Sequence, residues 1–137
     1  MDRAARQSRD VGQEKQMQTF DDIDEFRKSD EVMEFADEWL QEARADNPAG
    51  KRHMTLSLCQ VHHQHEALGI ILTLLDKAQD EDDVCEQIAL GPVWELVEWA
   101  KTDFVPILRE AVLRHPLFEL CTRGRRKHPD SPRWAEI

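Results

Sequence analysis

The chain has 137 residues, 40% of them hydrophobic and 34% charged, with a formal net charge of -10 at pH 7. That size and apolar content suit one hydrophobic core and not two, and no run of eighteen or more apolar residues is present to span a bilayer. The charge repels polyphosphate, so direct nucleic-acid binding is not expected and a basic protein surface is the favoured partner.

Residues 1–18 hold Met1, Val11 and Met17 as their sizeable apolar side chains and are expected to form a flexible tail without a secretory signal. Cys59, Cys85 and Cys121 are odd in number, widely spaced and lack a CxxC pair. They fit small buried thiols in a reducing compartment, and a cytoplasmic location is expected.

Thr19-Phe20-Asp21-Asp22 has the form of a helix start with Thr19 as cap, and Ser29-Asp30-Glu31 gives a second. Val32, Phe35, Ala36, Trp39, Leu40 and Ala43 then recur at helical spacing and predict one amphipathic helix. Its outer face carries Glu31, Glu34, Asp37, Glu38 and Glu42. From Phe20 to Asp46 there are eleven Asp or Glu against three Lys or Arg. Those five acidic residues form a candidate partner-binding face, able to mimic polyphosphate and steer onto a basic cleft.

Asp46-Asn47-Pro48-Ala49-Gly50 predicts a turn. One helical stretch is expected from about His53 to Lys77. Leu68, Ile70, Ile71, Leu72, Leu74 and Leu75 place its later part at the centre of the fold, and Gly69 suits a close helix approach. Within it, His62, His65 and Glu66 would share a helix face and are weak candidates for a metal, although H-x-x-H-E is not the zinc-protease order. The acidic run Asp80-Glu81-Asp82-Asp83 is expected to cap a helix through Val84, Cys85, Ile88 and Ala89.

Gly91-Pro92 reads as a helix end, with Gly91 left-handed, followed by a new start. Trp94 and Trp99 flank the stripe of Val93, Leu96, Val97 and Ala100. Both cannot point inward, so at least one is expected half exposed, a second candidate partner surface. Asp103 is placed to cap a further helix with Pro106 in its first turn, and Pro116 to open a last short one. Residues 124–137 form a basic, Pro-containing tail expected to be irregular, with Trp134 docking against the domain or a partner.

No segment alternates with period two, so the fold class is all-α: a compact bundle or short helical-hairpin array of about five or six helices over residues 19–123. The motif Ile88-Ala89-Leu90-Gly91-Pro92-Val93-Trp94-Glu95-Leu96-Val97, followed by Phe104 and closed by His115-Pro116-Leu117-Phe118, resembles an uncharacterised bacterial all-helical family, a domain of unknown function, over about residues 67–123. Members share an Ala-x-Gly-Pro-hydrophobic-x-x-Leu core and a helix ending near Pro-x-Phe; here Val93-Trp94 stands where Leu-Glu is usual. The resemblance implies a helical fold and a bacterial or phage source, and assigns no site residues.

No nucleophile elbow, glycine-rich phosphate loop or marked carboxylate pair is present, so a non-enzyme without cofactor is expected. The leading expectation is a small acidic protein-binding module, most specifically an immunity protein that neutralises a bacterial toxin. The alternatives are a phage inhibitor of a nucleic-acid-processing defence complex and a metal-dependent enzyme centred on His62, His65 and Glu66.

Overall fold

The computed structural model describes residues 17–45 and 50–137, and these are helical throughout, with no strand among them. The expectations for residues 1–16 and 46–49 lie outside the described residues. Helix α1 (Phe20–Phe26) begins with the anticipated Thr19 cap: Asp22 N–H donates to Thr19 Oγ1 at 3.1 Å, and Thr19 N–H donates back to Asp22 Oδ2 at 3.1 Å. This reciprocal pair satisfies two otherwise orphaned amides. Helix α2 (Asp30–Arg44) starts at Ser29 and buries Val32, Ala36, Trp39, Leu40 and Ala43, the anticipated stripe with Phe35 at its edge.

The single helix expected from His53 to Lys77 is two. Helix α3 (Lys51–His62) ends at His63, whose φ of -140° and ψ of 70° leave the helical region, and α4 (Gln64–Lys77) starts at once on a new axis. Helix α4 is buried continuously from Ala67 to Leu75 and packs against α1, α2 and α3 as well as later helices. A helix apolar on every side must be enclosed, which makes it the axis of the fold. Gly69 has the anticipated role, because a Cβ there would lie 2.9 Å from the Phe26 ring of α1.

Helices α5 (Asp82–Ile88) and α6 (Trp94–Glu98) are joined without a break by a π turn (Ala89–Val93). Two expectations change here. Glu81 precedes α5 without a side-chain capping bond, and Gly91 has no positive φ because it lies inside the turn. Pro92 has no N–H and its ring conflicts with the carbonyl four residues back in an α-helix. The wider π turn carries that residue without ending the rod. A 3-10 turn (Thr102–Phe104) leads into α7 (Val105–Arg114) with Pro106 in its first turn, so Asp103 lies in the 3-10 turn and does not cap α7.

His115, before Pro116, caps α8 (Pro116–Lys127): its Nδ1 accepts from Phe118 N–H at 3.2 Å. The tail expected to be irregular is largely helical, because α8 continues to Lys127 and α9 (Pro132–Glu136) follows. Trp134 on α9 explains the difference. It is buried in the core, donates from Nε1 to Glu98 Oε2 at 2.7 Å and lies under the Arg125 guanidinium. Counting α5, the π turn and α6 as one rod, the described residues form eight helices, more than the five or six expected. One core cluster runs from Phe20 to Trp134.

Candidate functional site

The acidic helix α2 divides into two halves. On the first, Asp30, Glu31 and Glu34 are exposed and make no hydrogen bond or ion pair among the described residues. On the second, each candidate acid has an internal partner. Asp37 pairs with Lys77 of α4 at 2.9 Å, and Glu38 with Arg52 of α3 at 2.6 Å. Next, the Arg44 guanidinium grips Glu81 through two bonds of 2.8 Å, and Gln87 donates to the Ala43 carbonyl at the end of the helix.

Glu42 does the most. Its carboxylate accepts from Arg52 N–H at 3.1 and 3.0 Å and from His53 N–H at 3.1 Å, and contacts His53 Nδ1 at 2.8 Å. The N-terminus of α3 begins at Gly50, which has no capping side chain, so Glu42 caps it from another helix. The cap favours glycine: a Cβ on Gly50 would sit 2.3 Å from Glu42 Oε1 and push the carboxylate off the amides it caps. Burial works to raise the Glu42 pKa, but the bonds from His53 and from the Arg52 and His53 amides outweigh it and hold the carboxyl below its ordinary value. His53 also stacks on Trp39, with ring centroids 4.0 Å apart. No local signal in the sequence marks this clasp, because its parts meet only after α2 and α3 pack.

Of the two tryptophans, Trp94 is partly buried against the core and Trp99 is 44% exposed. The Trp99 carbonyl accepts from Gln64 Nε2 at 2.9 Å, and Gln64 Oε1 accepts from Lys101 N–H at 3.0 Å. Together with Gln60, which donates to the Pro92 carbonyl at 3.0 Å, these buried amides stitch α3 and α4 to the α5–α6 rod. The sequence reading missed both glutamines.

The break at His63 separates the histidine cluster. His62 closes α3, while His65 and Glu66 open α4, so the shared helix face does not form. They line a cleft of about 620 Å³ with Lys101, Asp103 and Phe104. His65 lies edge-on to Phe104 with centroids 4.9 Å apart, and burial lowers its pKa towards the neutral form. Among the described residues, no three His, Cys, Asp or Glu side chains gather closely enough to hold a metal ion. The thiols are poor nucleophiles, since burial pushes Cys59 up to about 12 and Cys121 to about 11. Among the described residues, no helix is long and apolar enough to cross a membrane.

No protein-family model matches the chain, and neither curated proteins nor solved structures give a match.

Proposed function

We propose that the protein is an acidic protein-binding module whose contact face is the outer, N-terminal half of α2. The observation that carries this reading is the row Asp30, Glu31 and Glu34, exposed and unpaired among the described residues, in a molecule that neutralises the other acids of the same helix internally. Like charges at three- and four-residue spacing cost a helix a few tenths of a kcal/mol per pair, about 0.2–0.5. Asp30–Glu34, Glu31–Glu34 and Glu34–Asp37 are such pairs. A basic partner relieves that repulsion and is drawn to the face over long range.

The most specific form of this reading is an immunity protein that covers the basic cleft of a bacterial toxin in the cytoplasm. The test replaces Asp30, Glu31 and Glu34 with Lys in the full chain and compares what each protein retains from a lysate of the source organism. The expected result is a basic protein held by the natural chain and lost by the variant, with helical circular dichroism unchanged. Co-expression should then suppress toxicity of the captured protein. Equal capture by both forms removes the acidic face from the account.

A further inference from the structure

Three of the large apolar side chains left in solvent lie on one helix. Met54, Leu58 and Val61 are 61%, 64% and 42% exposed. Their spacing places them on one stripe of α3, about 10 Å long and turned away from the buried Leu56 and Gln60. The same helix differs electrostatically from every other described helix: Lys51–His62 contains no Asp or Glu, in a chain of net charge -10. Its exposed residues are Lys51, Met54, Thr55, Leu58, Val61 and His62.

We infer that α3 pairs antiparallel with α3 of a second copy of this chain, about a twofold axis near Leu58. Two strongly acidic molecules repel one another when acidic faces meet. Helix α3 brings no carboxylate of its own to the contact, and those of neighbouring helices that reach it, Glu38, Glu42 and Glu95, are bonded to Arg52, His53 and Ser57. Direction follows from the end charges. A parallel pair sets Lys51 against Lys51. An antiparallel pair sets each Lys51 beside the C-terminal turn of the other α3, the negative end of the helix dipole, and opposes the two dipoles. In that register Met54 meets Val61 of the other copy and Leu58 packs on Leu58, a self-complementary patch of the kind a twofold dimer requires. A basic foreign partner has no such fit, because it meets Lys51 and finds no carboxylate on the helix. This inference is independent of the acidic face on α2.

The stripe is short, so the dimer is weak and depends on concentration. Light scattering or sedimentation of the full chain from about 10 µM to about 1 mM should show the mass rise from 16.0 kDa towards twice that value. Leu58→Glu brings two carboxylates together at the axis and should weaken association by about a hundredfold while circular dichroism stays unchanged. Leu113→Glu, at a residue 84% exposed on α7, is the control and should leave association as it was. A mass fixed at 16.0 kDa up to the highest concentration overturns the inference. So does a dimer that Leu58→Glu leaves intact, or one that Leu113→Glu weakens equally.

Discussion

The two halves of α2 are built from the same residue types at the same helical spacing, yet they do different work. Asp30, Glu31 and Glu34 face solvent without partners among the described residues, whereas Asp37, Glu38 and Glu42 are each held by a cation or an amide of a neighbouring helix. The second half turns towards α3 and α4, and its carboxylates join those helices to α2. In the first half Glu34 is felt by Arg52 of α3 without making a hydrogen bond or ion pair to it, so the charge of Asp30, Glu31 and Glu34 remains largely available to something outside the molecule. An acidic face defined by periodicity therefore contains a structural part and a free part, and a mutation across all of it confuses the two.

Glu42→Lys is the most damaging test of this division. It removes the cap from α3 and sets a cation against the helix N-terminus and His53, so about 3 kcal/mol of stability should be lost in urea unfolding. A loss below about 0.5 kcal/mol, the range of an ordinary surface change, breaks the comparison at its strongest point.

Gly50→Ala acts on the same clasp from the other side. The new Cβ displaces the Glu42 carboxylate, and a Tm fall corresponding to about 1–2 kcal/mol is expected, the cost of a lost cap. If Glu42→Ala is already present, Gly50→Ala should add little, because the two changes break one interaction.

The acid limb sharpens the contrast further. The Glu42 carboxyl sits below its ordinary 4.5 in the folded chain, so its contribution is complete above about pH 4.5 and is lost as pH falls through the lowered value. The natural chain and Glu42→Gln should therefore differ most in stability near neutrality and converge in acid. A constant gap from pH 7 down to pH 3 contradicts that assignment.

The smallest effects belong to the outward residues. Glu38→Ala breaks a partly exposed ion pair with Arg52 and should cost about 0.5 kcal/mol. Glu31→Lys and Glu34→Lys should change stability by no more than about 0.5 kcal/mol, with the relieved repulsion offset at Glu31 by the loss of a favourable charge at the N-terminus of α2. Thermal melts of the single variants settle the order.

Much of the fold was legible because local chemistry decided it. Thr19 and Ser29 cap where they stand, and the Val32–Ala43 stripe buries as its spacing requires. The misreadings share a different cause. At His63 two helices abut with no glycine or proline to mark the break. At Gly91-Pro92 the usual punctuation marks a widened turn, because Leu96 and Val97 stay buried on the same rod as Val84 and Ile88. Residues beyond Arg123 read as irregular from Pro129 and Pro132, although the burial of Trp134 against Glu98 organises them. The acidic candidates were visible as a row. Their division was not, since the positions of Arg52, His53 and Lys77 follow from packing between helices.

The π turn at Ala89–Val93 has a consequence for which length changes the chain can accept. Each residue of an α-helix advances the side-chain direction by about 100°. Removing one residue here, Pro92 for example, would close the turn into ordinary α-helix and leave Val93, Leu96 and Val97 facing the core and Glu98 within reach of Trp134, whereas removing one elsewhere in the rod would rotate them away by that angle. The turn works as a phase correction that keeps two stretches of one rod in step with the same core. In a family of such chains this is where a gap of one residue should be most readily accepted within the rod, and its flanks, Val84–Ile88 and Leu96–Val97, are where it should be rarest.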